Sequence, residues 1–376
     1  MKESHRNLTR RLVLKTALQF GASASLFSPL PVFASALFNP KEEASLSKAA
    51  KYQMVFASPY SSDEWQVTPH MHAELKKNIQ EMSQGKIYVD IRDKGSLGIG
   101  PALMEKVNRG HISAALVSMS NLSPAAPELD ILNIPFWSAS NQQYVNLITS
   151  TAWKKRVVEK IESQRKLRLL FHYIPGPRTA TTTKKFAKTI HTPKDTKDIR
   201  FRIPSSDVLK VFYDLMGANT QKVAWGKVSS FAENNLIDAL DPSTIGLFNG
   251  PNNLKQHIGV ISEINSVHDG WAAVVSQRWY QSLSPELRLA LQEASEKTFQ
   301  QHLVSVAQVT NYCKAGFREL GVSIYTPTVE EKNIWAEQCG HTHPAWAPVK
   351  RRIIGSQKIF DELLEATKEN NGFTYI

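Results

Sequence analysis

Cysteine is nearly absent: the 376 residues contain two, Cys313 and Cys339. Two thiols exclude a disulfide framework and a four-thiolate metal site, although in an oxidising compartment they can form one bridge if the fold brings them within bonding distance. After the first few dozen residues no apolar run reaches the length needed to span a bilayer, which argues against an integral membrane protein. Catalytic signatures are missing as well: there is no nucleophile elbow, Walker loop, dinucleotide fingerprint or His-Glu-x-x-His helix. The glycines at 95, 98 and 100 form a loop that leads into a helix without phosphate-loop spacing. No zinc-finger spacing, ribonucleoprotein motif or helix-turn-helix pairing appears, so nucleic acid is not the expected partner.

What is present describes a soluble chain: 42% apolar and 21% charged residues, long enough for two lobes with separate cores. The formal charge of +11 is unevenly spread, with 15 Lys and Arg against 4 Asp and Glu between Thr151 and Ile203. Part of that excess is the wet face of an amphipathic helix over 151–168, with Trp153, Val157, Ile161 and Leu167 turned inward. The remainder suits anionic lipid or an acidic small molecule.

The N-terminus reads as an address. "LTRRLVLKTALQFGASASLFSPLPVFASA" pairs Arg10 with Arg11, continues weakly apolar, and ends in the small-x-small pattern Ala34-Ser35-Ala36. "TRRLVLK" resembles a twin-arginine export signal. Cleavage after Ala36 removes five positive charges and one negative charge, leaving +7 on a product that is soluble in the periplasm or tethered there by a retained helix. Residues 37–50 look like a polar leader without a core.

Beyond it, "YQMVFAS", "KIYVDIRD" and "ISAALVS" read as strands separated by helical stretches, the order expected of a parallel sheet covered on both faces. A helix opened by Ser284-Pro285-Glu286 and closed near Leu320-Gly321 would be more than ~50 Å long, enough to tie two lobes together. In "IHTPKDTKDIRFRIPSS", Ile199, Phe201 and Ile203 fall on one side of a strand and Arg200 and Arg202 on the other. Pro204 stops that strand, and Ser205, Ser206 and Asp207 offer caps for the next helix. Two guanidinium groups on one face are either solvated or the receptor of an acid.

"GKIYVDIRDKGSLG", "PELDILNIPFW", "GPRTATTTKKFAKTIHTPKDTKDIRFRIPSS", "MGANTQKVAWGKVSSF" and "VHDGWAAVVSQRWYQSLSPELRLALQEA" occur in this order. Together they resemble the periplasmic solute-binding proteins of tripartite ATP-independent periplasmic (TRAP) transporters, the family named after its dicarboxylate binder. The resemblance runs from about Tyr52 to about Thr367 and implies an α/β, two-lobed fold of the Venus-flytrap kind. Parallel-rich sheets would be covered by helices and joined by crossing strands and a long hinge helix. The implied lobes are 51–175 plus 268–305, and 176–267 plus 306–376.

The resemblance also implies a function without catalysis: capture of a small organic acid between the lobes and delivery to small and large membrane permease subunits, by a monomer or homodimer. Arg202 would take the ligand's carboxylate as a bidentate pair, for which a planar guanidinium is suited. Arg178 would support it, Ser205 would add a polar contact, and Trp225 would cover the ligand. Ser118, Asn121 and Tyr60 would form the facing wall, and Arg200 would be solvated. Asp238 matches the family and Asp241 stands for its glutamate, whereas Pro242 replaces an asparagine and Lys227 a glutamate. No cofactor is implied, and the departures at Pro242 and Lys227 leave an unusual acid, a cation-bridged acid or a larger ligand open.

Two rival readings exist. One is an exported metal-dependent or redox enzyme built on "CGHTHPAW", with Cys339, His341 and His343 as ligands and His70 and His72 as further donors. The other is a sensory protein that presents its ligand to a membrane receptor.

Overall fold

Short apolar stretches between helices become strands of two mixed sheets in the computed structural model, which describes residues 39–61, 71–138 and 140–375. The expected export signal and His70 lie outside these residues. The first sheet contains β1 (Tyr52–Ala57), β2 (Ile87–Arg92), β3 (Ala114–Ser118), β4 (Leu167–Tyr173) and β10 (Trp271–Ser276), in the order β2-β1-β3-β10-β4. β1 pairs in parallel with β2 and β3, whereas β10 runs antiparallel to β3 and β4. Every residue of β3 and β10 is buried, which is why both read as continuous apolar runs rather than alternating ones.

The second sheet contains β5 (Ala180–Thr183), β6 (Arg200–Ile203), β7 (Asn219–Lys222), β8 (Ala239–Leu240), β9 (Ile258–Ser262) and β11 (Ser323–Tyr325). Its order is β11-β9-β5-β8-β6-β7, with β6 parallel to both β7 and β8. The chain passes between the sheets through 174–179 and returns through 263–270. The long helix Pro285–Glu319 makes a third link; its 35 residues extend about 52 Å. Leu287, Leu291, Ala294, Phe299 and Leu303 pack into one hydrophobic core, and Val306, Val309, Cys313 and Phe317 into another. One rod therefore contributes to both cores.

Three segments depart from the sequence expectations. The polar leader contains a helix, Pro40–Ala49, capped by Asn39; it buries no residue of its own. Glu43 holds it to the protein by pairing with Lys76 and accepting from the Tyr88 hydroxyl at 2.7 Å. The helix over 151–164 takes a π-helical turn at Lys154–Val158, yet Trp153, Val157 and Ile161 all point inward as expected. The C-terminal region was assigned to the second lobe, but only part of it packs there. Val329–Cys339 lies against Asp207–Leu215, whereas Trp346–Ile354 and Gln357–Ala366 pack against Pro127–Asn133, Asn141–Thr149 and Thr151–Trp153. The cause is the apolar face of the last helix: Phe360 and Leu363 are fully buried, and the Phe360 ring lies 4.8 Å from Trp137.

Candidate functional site

The carboxyl ends of β3, β6 and β8 and the start of the antiparallel β10 meet at one edge, the position where α/β sheets form crevices. On β6 the two arginines share one face, and their position along the strand separates them. Arg200, at the start of the strand, is partly exposed and forms a forked pair with Asp238, Nε to Oδ2 at 2.9 Å and Nη2 to Oδ1 at 2.5 Å. Arg202, near the carboxyl end, is 3% exposed. Its Nε and Nη2 donate to the carbonyl of Val223 at 3.0 and 2.9 Å, and its guanidinium lies 5.4 Å from the Trp225 ring. Among the described residues no carboxylate forms an ion pair with Arg202, and its Nη1 has no protein acceptor. Burial pushes its pKa down to about 10; the charge of Arg178 adds to this, while Asp241 and Asp269 oppose it.

Arg178 is equally buried but ionically paired, and among the described residues only its Nε finds no acceptor. Its Nη1 donates to Asp241 Oδ1 at 3.0 Å, while Nη2 lies 2.8 Å from Asp269 Oδ1 and 3.1 Å from Ser120 Oγ. Asp269 is held in turn by the Ser243 amide and hydroxyl, both at 3.2 Å. Burial raises the pKa of Asp241, against the pull of both arginines. Two positive and two negative side chains thus share one dry region, and only Arg202 lacks an ionic partner.

These groups border a small cleft lined by Ser118, Asn121, Arg178, Arg202, Pro204, Trp225, Pro242, Asp269 and Trp271. Five of the eight candidates are therefore brought together: Arg202, Arg178, Trp225, Ser118 and Asn121. Tyr60 stands behind them; it is fully buried rather than in an exposed loop, with its ring 4.9 Å from Trp271. Asp241 does not line the cleft, because it supports Arg178 from below. Ser205 is half-buried and also outside the lining. The helix after Pro204 contributes less than expected, since its first amides are taken: Asp130 accepts from Val208 N at 3.3 Å and Ser206 Oγ from Leu209 N at 3.0 Å.

Donors without acceptors dominate the cleft. Trp271 Nε1 and the Tyr60 hydroxyl are buried without a hydrogen-bond partner. The Ser118 hydroxyl and the Asn121 amide likewise find no acceptor among the described residues. The space between these side chains is about 20 Å³, room for about one water. A solute larger than water therefore enters only as the walls shift. A larger hollow of about 560 Å³ lies elsewhere, between Pro40–Ala49, Met71–Met82 and the long helix; its mixed charges show no such surplus of donors.

Sequence reasoning missed Asp269 and Trp271. Both lie in "VHDGWAAVV", where Gly270 is required because a Cβ would come within 2.4 Å of the Tyr144 hydroxyl. That tightness is a property of the packed fold and leaves no mark in spacing. The rival metal cluster does not converge. Cys339 is fully buried at a helix end, its thiol pushed up to about 12 by burial, and the carbonyls of Cys339 and His341 accept from Trp346 Nε1 and Lys350 Nζ. His72 packs against Phe56 far along the chain. Among the described residues no three potential ligands gather around one point. The two cysteines lie in different cores, with no disulfide between them.

Comparison with known proteins agrees with this architecture. Residues 40–347 match the family model for bacterial extracellular solute-binding proteins of family 7. A C4-dicarboxylate-binding protein of Bacillus subtilis is 22% identical over 297 residues, covering 78% of this chain and 80% of that protein. A 2,3-diketo-L-gulonate-binding periplasmic protein of Escherichia coli is 22% identical over 69% of this chain and 78% of its own length. Among solved structures, a sugar acid binding protein of Advenella mimigardefordensis in complex with galactonate superimposes with a TM-score of 0.74 at 18% identity, covering 84% of this chain and 97% of that one. A TRAP solute-binding protein of Shewanella oneidensis with bound succinate gives 0.75 at 17% identity, covering 84% and 99%. The chain belongs to extracellular solute-binding protein family 7, the non-catalytic periplasmic receptors of TRAP transporters.

Proposed function

We propose that this protein captures a small organic acid in the cleft and presents it to the membrane subunits of a TRAP transporter. One observation carries the reading: Arg202 is a buried guanidinium with no carboxylate of its own, in a cleft whose other polar groups are mainly unpartnered donors. Such a charge is costly to keep dry, and a ligand carboxylate offsets that cost. Its oxygens would accept from Arg202, with Ser118 and Asn121 donating from the opposite side and Trp225 covering the bound acid. Arg178 would act indirectly, its charge fixed by Asp241 and Asp269. The known ligands of similar proteins, succinate and galactonate among them, are acids of this kind.

Capture between two lobes joined by the long helix suits a receptor that closes on its solute and is read by partner subunits in the closed form. The sequence supports export by the twin-arginine route. Micromolar affinity requires about 8 kcal/mol, within reach of a desolvated ion pair with several hydrogen bonds. Thermal-shift screening against mono- and dicarboxylates, sugar acids and 2-oxo acids tests the reading, since a ligand selective for the folded state raises the melting temperature. Arg202→Ala should weaken the best ligand up to about a hundredfold, the loss of one charge-assisted pair. A panel without a single hit counts against the reading.

A further inference from the structure

We propose that the cleft selects acids with one carboxylate and discriminates against the matched dicarboxylates. This rests on the reading that Arg202 is the acid receptor, and it follows from which charges around the cleft are already matched. Among the described residues, three charged side chains line it: Arg178, Arg202 and Asp269. The charge of Arg178 is matched by two carboxylates at 3.0 and 2.8 Å, and the nitrogen nearest Asp269, Nη2, also donates to Ser120. A first ligand carboxylate finds Arg202. A second one finds no unmatched cation and meets the charge of Asp269, together with that of Asp241 just behind it. Like charges held in a dry cleft repel strongly.

The rest of the lining repeats the message. Ser118 and Asn121 are neutral donors, and Pro204, Pro242, Trp225 and Trp271 present apolar surface. Pro242 also lacks the side-chain amide that an asparagine would offer to an acid. Lys227, the nearest lysine in sequence to Trp225, is exposed and outside the lining. The part of the ligand beyond its carboxylate is therefore uncharged: once the walls shift, an apolar chain or ring would lie against Trp225 and Trp271, and a hydroxylated one would donate to Asp269.

The test is calorimetry on size-matched pairs: butyrate with succinate, hexanoate with adipate, benzoate with terephthalate, and gluconate with glucarate. In the pair that gives the tightest monoacid, the dicarboxylate should bind at least about thirtyfold more weakly. Asp269→Asn should narrow that gap about tenfold or more by removing the opposing charge while keeping the side chain's size. A dicarboxylate that binds the wild-type protein as tightly as its monoacid overturns the proposal. A gap unchanged in Asp269→Asn overturns it too, and if that variant does not fold, the wild-type pairs decide alone. Failure of the underlying reading looks different: no acid binds, or Arg202→Ala binds the monoacid as wild type does.

Discussion

Replacing Arg178 with methionine should damage the fold before it affects the ligand. The guanidinium is 3% exposed and pairs with Asp241 and Asp269, themselves 0% and 5% exposed. Methionine fills much of the same volume but leaves two buried carboxylates without their paired cation, with only the unpaired charge of Arg202 acting on them. Breaking a buried pair by removing one partner costs about 3–5 kcal/mol. The upper part of that range applies here, because two anions lose one shared cation. For a chain of this size the loss corresponds to a melting temperature lower by roughly 4–7 °C. The assay is thermal unfolding followed by circular dichroism on protein freed of ligand by unfolding and refolding. Asp241→Asn added to Arg178→Met should recover part of the loss, since it removes one stranded charge. An Arg178→Met protein that melts with wild type would refute the reasoning, and so would a double variant no more stable than the single one.

Three further outcomes follow from the same geometry. His268 and His172 are buried neutral, with pKa values lowered by burial to about 4 and about 3, so the unfolded chain takes up their protons first as pH falls below 6.5. His268 then costs about 2 kcal/mol by pH 5; buried carboxyls with raised pKa values, such as Asp130, act in the opposite sense. The informative quantity is thus the difference in melting temperature between wild type and His268→Gln, which should move in the variant's favour from pH 7 to pH 5, and parallel curves would contradict the assignment. Gly316→Ala should destabilise by about 1–2 kcal/mol despite alanine's better helix propensity, because a Cβ there lies 2.6 Å from the Phe248 ring; chemical denaturation showing a gain would refute it. Cys313 and Cys339, both buried, should resist a thiol reagent at pH 8 until the protein is unfolded, and rapid labelling of the native protein would contradict their placement.

The strands and the long hinge helix were legible because local pattern determines them. Ser284-Pro285-Glu286 starts a helix whatever surrounds it, and the alternation of Ile199, Phe201 and Ile203 fixes which face of β6 carries Arg202. The cleft was legible where one residue's strand position decides its direction, as for Arg202 and Ser118. It was not legible where long-range packing decides. Arg178 and Asp241 are 63 residues apart, and Asp269 joins them only because β10 returns to the first sheet. Spacing alone could not show that the second arginine is neutralised. The last two helices were misassigned for a similar reason: their apolar faces require a partner surface without naming it, and the surface turned out to be that of Trp137 and its neighbours.

The most direct measurement is a crystal structure with the best-binding acid from the screen. The account predicts one carboxylate between the lobes, its oxygens about 2.7–2.9 Å from the Arg202 guanidinium, with the Arg178 pairs to Asp241 and Asp269 intact. A carboxylate bound on Arg178 in place of its aspartates, or an acid bound outside this cleft with Arg202 untouched, would contradict it.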